Sequence, residues 1–177
     1  MVVAGACGGQ QAARSEPARG FYLNGSLGIA LLDQEEGKEP EANAGVHLGT
    51  TCGYRFNRLF ALELDSGFIR NTFADDRDSP ELPLSQIPVV FNAVFHLANA
   101  SRLEPYVGAG FGVNLIWNEE VAGGDATLAF KAGVRHIIND RMAIGADYTY
   151  YMLGFLSAFI GESVGDDTLN LGVRWSF

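Results

Sequence analysis

Alternation of apolar and polar residues, sustained from Phe21 to the last residue, is the feature that most limits what this chain can form. Leu169, Leu171, Val173, Trp175 and Phe177 fall on one side, and Asn170, Gly172, Arg174 and Ser176 on the other. Phe21, Leu23, Leu27 and Ile29 oppose Tyr22, Asn24, Ser26 and Gly28 in the same way. Successive side chains of a strand leave on opposite faces, so a period of two marks strands with two unlike faces. The pattern recurs in Val46–Phe56, Val107–Leu115, Leu128–Arg135 and Met142–Tyr151. Two segments are less clean. Ala61 and Ile69 fall on the polar side of a third strand, and Val90 and Val94 on that of a fourth, which Pro88 is expected to start or to bulge.

The sum is eight strands of roughly ten residues, the length that crosses a bilayer when tilted. Asn57-Arg58, Asn99-Ala100-Ser101 and Asn139-Asp140 read as tight turns. Longer links are expected near 33–43, 71–86, 118–125 and 154–167. Short turns at one end and long loops at the other are the layout of an up-and-down transmembrane barrel. Glycine agrees: 22 of 177 residues, about 12% against a typical ~7%, spread through apolar stretches where strands pack closely.

A soluble barrel has the same alternation, and charge placement separates the two. Arg or Lys at mid-bilayer costs about 2–4 kcal/mol, so a membrane barrel keeps one face uncharged. Here one face of every strand is nearly free of charge across its middle. Fifteen of the 21 acidic residues fall instead in the expected long links: Asp33, Glu35, Glu36, Glu39, Glu41, Asp75, Asp76, Asp78, Glu81, Glu119, Glu120, Asp125, Glu162, Asp166 and Asp167. Tyr54, Phe56, Trp117, Tyr150, Trp175 and Phe177 lie toward strand ends, where amphipathic rings meet a membrane interface. The net charge of −9 argues against a nucleic-acid partner. Residues 1–19 are small, polar and aperiodic and are expected to form a flexible leader ahead of a barrel domain over 20–177. Ala4-Gly5-Ala6 is similar to the end of a signal-cleavage site, and Cys7 after it is a candidate for lipidation, the plainer reading being an unstructured remnant.

Three segments resemble the outer-membrane β-barrel family of opacity-type surface antigens and OmpA-like barrels. They are Gly53-Tyr54-Arg55-Phe56-Asn57 with Phe60-Ala61-Leu62-Glu63, Glu104 to Gly112, and the terminal Asn170 to Phe177. The resemblance covers about residues 20–177. It implies a multi-pass protein of a Gram-negative outer membrane, surrounded by membrane lipid and lipopolysaccharide. It also implies that Leu171, Val173, Trp175 and Phe177 form the signal read by the barrel-assembly machinery, and that no peptidoglycan-binding domain follows Phe177.

The inward charges read from the alternation are Glu63, Asp65, Lys131, Arg135, Asp147 and Arg174. An eight-stranded barrel is only wide enough for side chains to fill, and buried charges must pair, so these six are expected to plug the lumen. The alternative is a small pore or transporter for ions or small solutes. Asp75, Asp76, Asp78 and Glu81 are hard oxygen ligands close in sequence and form a candidate divalent-ion loop, the plainer reading being solvated charge. The acidic loops are expected to meet lipopolysaccharide, a surface or a protein.

Some barrels of the resembled type are lipid A deacylases, which makes a lipid-modifying enzyme the third reading. Ester cleavage needs a nucleophile beside its base. His47 and His96 point inward. His136 points outward near the Asn139 turn, with no serine two residues from it. No zinc spacing, phosphate loop or nucleophile elbow occurs, so no catalytic residue and no cofactor is expected. The apolar stretch Leu153 to Ile160 is expected to extend the seventh strand or to cover the barrel mouth.

Overall fold

The computed structural model describes residues 19–33, 44–73, 82–97, 101–117, 122–154 and 164–177. Its strands are β1 (Gly20–Asp33), β2 (Ala44–Arg55), β3 (Phe60–Phe73), β4 (Leu82–His96), β5 (Leu103–Trp117), β6 (Ala122–Ile137), β7 (Met142–Leu153) and β8 (Val164–Ser176). Each pairs antiparallel with the next, and β8 pairs with β1 to close an eight-stranded barrel. The closing seam runs from Tyr22 opposite Ser176 to Asp33 opposite Gly165. Closure leaves no edge strand with unsatisfied backbone groups.

Two tight turns have the same construction. The Asn57 side-chain oxygen accepts from the backbone N–H groups of Leu59 and Phe60 at 2.8 and 2.9 Å. The Asn139 oxygen accepts from those of Arg141 and Met142, both at 2.9 Å. An asparagine at the start of a turn supplies the acceptor that the reversing backbone lacks. In the third turn the Leu103 N–H reaches the Ser101 hydroxyl at 3.1 Å; Asn99 and Ala100 lie outside the described residues.

The strands run further than the period alone marked. Asp33 ends β1, Asp125 lies in β6, and Asp166 and Asp167 lie in β8, so these four acids belong to strands and not to links. Inter-strand pairing carried them there, because a ladder continues past the membrane band while both partners can bond. Pro88 needs a second correction. β4 begins six residues earlier, at Leu82, and the register is the same on both sides of Pro88: Ser66 opposite Val89, Ile69 opposite Gln86. Pro88 neither starts the strand nor forms a bulge. Pairing to β3 lapses only opposite Pro88 and Ile87, where a ring without N–H cannot donate. Gly154 directly follows β7 with a φ of 63°, a conformation glycine adopts at no steric cost, and the described strand ends at Leu153.

Burial is inverted relative to a water-soluble barrel. Leu171 and Phe177 are 70% and 72% exposed, while Glu63 and Arg55 inside the barrel are 1% and 2% exposed. The four apolar residues that interrupt the alternation all face inward and are buried. Ala61 and Val94 pack with Tyr22 and Tyr106 near the short-turn end. Ile69 and Val90 pack with Ala30, Ala129, Tyr151 and Leu153 nearer the other end. Glycines make room for the two inward tyrosines of the lower cluster. A Cβ on Gly53 would lie 2.3 Å from the Tyr22 ring, and one on Gly133 2.6 Å from the Tyr106 ring.

Candidate functional site

Alternation turns the polar residue of each pair into the lumen, where most of these side chains are buried. Each charge there must find a counter-charge on another strand. The lower storey is built on Glu104 of β5. Arg55 of β2 donates to both Glu104 oxygens, through Nη2 to Oε1 and through Nη1 to Oε2 at 3.4 Å. The same guanidinium donates to the carbonyls of Asn57 and Arg58, each at 3.2 Å, which ties the lumen to the turn below. His96 Nδ1 lies 3.3 Å and Arg174 Nη1 3.8 Å from Glu104 Oε2. The Arg174 guanidinium stacks over Tyr22 at 4.6 Å.

The middle storey is built on Glu63 of β3. Its Oε2 accepts from Lys131 of β6, and its Oε1 from the Tyr22 hydroxyl at 2.6 Å and Arg135 Nη2 at 3.2 Å. Lys131 also donates to Asp65 Oδ2 at 2.6 Å, which takes a further bond from Asn92 at 2.8 Å. Arg135 sits 3.9 Å above the Tyr106 ring. Removing one partner from a buried pair of this kind costs about 3–5 kcal/mol, because the other charge is left unpaired.

Of the six lumen residues expected from sequence, Glu63, Asp65, Lys131 and Arg135 form one cluster. Arg174 belongs to the Glu104 storey. Asp147 is held by neutral groups: it accepts from Asn170 at 3.1 Å and Thr149 at 3.4 Å, and Asn170 in turn meets His47 at 2.5 Å. Sequence reasoning missed Arg55 and Glu104 as lumen charges. Both sit at the last inward position of a strand beside a turn. The alternation over Val46–Phe56 already turns Arg55 to the polar side, and extending the fifth strand's alternation two residues before Tyr106 reaches Glu104.

The lipid-facing side carries two aromatic bands. Phe21, Tyr54, Phe56, Phe60 and Phe95 form a continuous chain near the short turns, with ring centroids 4.8 to 5.7 Å apart. Phe68 and Trp117 mark the far band, 6.2 Å apart. Phe60 and Phe68 are eight residues apart on β3, roughly 20 Å along the axis of a tilted strand, close to the ~25 Å apolar band of an outer-membrane barrel. Leu171, Val173, Trp175 and Phe177 all lie on this outer face, and the Phe177 N–H bonds the Phe21 carbonyl at 3.0 Å across the seam. His136 is exposed on the outer face beside Leu103 and Ile144, with no nucleophile opposite it in either register. Asp75, Asp76, Asp78 and Glu81 lie outside the described residues.

A closed antiparallel barrel with an apolar exterior, a charged interior and two aromatic bands is a transmembrane β-barrel. The chain belongs to the family described as outer membrane protein beta-barrel domain, whose model matches residues 1–177. That places it in the outer membrane of a Gram-negative bacterium. No curated protein sequence matches it significantly. Among solved structures it is similar to Neisserial surface protein A (TM-score 0.70, 18% identity, 89% of this chain and 97% of that one). It is similar to OprG from Pseudomonas aeruginosa (TM-score 0.60, 15% identity, 92% and 99%). It is also similar to Ail of Yersinia pestis, solved in complex with the heparin analogue sucrose octasulfate (TM-score 0.53, 21% identity, 90% and 100%). At these identities the likeness is one of fold.

Proposed function

We propose that this protein is a sealed outer-membrane barrel that acts through its extracellular loops and conducts nothing through its lumen. The observation that carries the reading is the pair of cross-lumen struts: Glu63 and Asp65 on β3 to Lys131 on β6, and Arg55 on β2 to Glu104 on β5. Each spans the interior rather than following the wall, and the paired side chains fill the bore of an eight-stranded barrel. Single-channel recording in planar bilayers tests it. A sealed barrel gives no stable conductance. Stable channels that change on Lys131→Gln would establish the pore reading instead.

The long links are strongly acidic on balance. Outside the strands, residues 34–43, 74–81, 118–121 and 155–163 carry eleven acids against Lys38 and Arg77. The short-turn end carries Arg58, Arg102 and Arg141 against Asp140. Such loops repel a sulfated polyanion of the kind bound by Ail. They suit a cationic surface, a basic protein segment, or lipopolysaccharide phosphates bridged by divalent ions. The protein is not an enzyme on this reading, since His136 stands on the outer face among apolar side chains. Binding to lipopolysaccharide vesicles that requires Mg²⁺ or Ca²⁺ and is abolished by chelation supports the bridged contact; binding that survives chelation excludes it.

A further inference from the structure

The lipid-facing wall carries a furrow of about 710 Å³, and the strand register gives its course. Leu103, His136, Ile144, Val173 and Gly25 face outward, each opposite the next across one strand pair, and form its lower lip. The next outward row, from Val134 of β6 to Leu48 of β2, forms the upper lip. Two members of the lips supply almost no side chain, Gly25 below and Ala146 above. A Cβ on Gly25 would meet nothing within 4 Å, so the lower lip is open there.

The furrow crosses five strand spacings, from β5 through β6, β7, β8 and β1 to β2. At about 4.8 Å per spacing and a tilt near ~45°, that is roughly 24 Å along the wall and roughly 17 Å in depth. It starts at the short-turn end, where Leu103 opens β5, and ends near the middle of β1 and β2 at Leu27 and Leu48. One leaflet is half of the ~30 Å hydrocarbon core. The furrow thus has the length and depth of one acyl chain in the leaflet on the short-turn side. Its foot is the polar part. His136 is the polar member of the lips. Arg102 adjoins Leu103, and its carbonyl accepts from the Ile137 N–H at 2.9 Å, one residue from His136. Arg141 lies in the turn between β6 and β7, and its carbonyl accepts from the Ser176 N–H at 2.7 Å. Both arginines are exposed, against the one acid of that turn, Asp140.

A smooth apolar wall lets lipid slide past. An apolar furrow that ends on excess positive charge at headgroup level holds one lipid by two kinds of contact, the chain by apolar surface and the phosphate by charge. We propose that this furrow binds one anionic phospholipid of the periplasmic leaflet, of the phosphatidylglycerol class. One acyl chain lies between the lips, and Arg102 and Arg141 hold the phosphate. The His136 imidazole donates to a phosphate or ester oxygen. The site is on the outer wall and forms whether or not the lumen conducts.

Trp175 is a built-in reporter, since it stands on the outer face of β8 two residues from Val173. The full chain carrying Trp117→Phe, so that Trp175 alone emits, is refolded into phosphatidylcholine vesicles. These hold a minor share of phosphatidylglycerol with brominated acyl chains, which quench tryptophan on contact. Quenching is expected to exceed that from the same share of brominated phosphatidylcholine. The relative affinity is expected to be higher by at least roughly fivefold, the effect of one arginine beside an anionic headgroup. Arg102→Gln with Arg141→Gln is expected to abolish the preference. Gly25→Leu, which puts a side chain into the open part of the furrow, is expected to lower it. Arg58→Gln, in the β2–β3 turn on the other side of the barrel, is expected to leave it unchanged. Equal quenching by the two lipids, or a preference that survives the paired arginine substitutions or Gly25→Leu, would overturn the proposal. A preference lowered as much by Arg58→Gln would mean diffuse surface charge and would also overturn it. So would a preference lost as the protein-to-lipid ratio rises, because a second copy of the chain would then fill the furrow.

Discussion

Glu63 and Lys131 sit on strands three apart in the barrel, β3 and β6, yet their side chains meet in the lumen, where Glu63 is almost wholly buried. Glu63 also takes bonds from Arg135 and Tyr22, so one carboxylate holds three partners from two other strands. Glu63→Ala leaves Arg135 and Tyr22 without that acceptor and is expected to lower stability by about 3–5 kcal/mol. Urea unfolding of the protein in lipid vesicles measures it. A loss below about 1 kcal/mol would mean that the cluster behaves like a surface ion pair.

Gly53 and Gly25 make a matched pair of opposite expectation. A Cβ on Gly53 meets the Tyr22 ring, whereas one on Gly25, on the lipid side, meets nothing within 4 Å. Gly53→Ala is expected to displace Tyr22 from Glu63 and to destabilise by about 1–3 kcal/mol. Gly25→Ala is expected to be neutral or to stabilise by less than about 1 kcal/mol, since it narrows the unfolded ensemble. The same unfolding assay compares the two, and equal effects would contradict the packing described for Tyr22.

Phe111 lies near the middle of β5 on the exposed outer face, and Leu103 on the same face at its short-turn end. Phe111→Arg is expected to cost about 2–4 kcal/mol in a bilayer and Leu103→Arg about 0–1. The depth dependence, rather than either value alone, reports where the membrane lies.

Phe177 is exposed on the outer face, and only its backbone is bonded across the seam. Phe177→Ala is therefore expected to leave the refolded barrel nearly as stable while lowering the yield of assembled protein in cells. Quantitative blotting of outer-membrane fractions checks the second part. Unchanged yield would remove the assembly role of the C-terminal residues.

Much of this architecture was legible because a barrel writes its two environments into alternate residues. The final strand needed no more than Leu169 to Phe177 to show its lipid face. What the pattern could not settle was contact across the lumen. Ala61, Ile69, Val90 and Val94 look like errors of alternation until the two apolar clusters inside the barrel are seen. Arg55 and Glu104 were hidden by their place beside turns, where a charge is ordinarily solvated. Asp125 and Asp166 read as loop acids because strand ends beyond the membrane have the composition of loops; only register shows that they face inward. Pro88 was misleading for a related reason: one missing N–H is a small loss when the other side of the strand stays paired with β5.

Thr51 and Cys52 are neighbours on β2 that face opposite sides, Thr51 buried in the lumen and Cys52 exposed on the outer wall. Thiol labelling in vesicles, with Cys7 replaced by Ser, tests both the lipid-facing exterior and the seal at once. Cys52 is predicted to react with a lipid-soluble maleimide and to resist a charged thiosulfonate. A cysteine moved to the lumen, as Thr51→Cys with Cys52→Ser, is predicted to resist both reagents. Charged reagent reaching position 51 would mean an open lumen, and charged reagent reaching position 52 would mean that the outer wall faces water; either result contradicts the account.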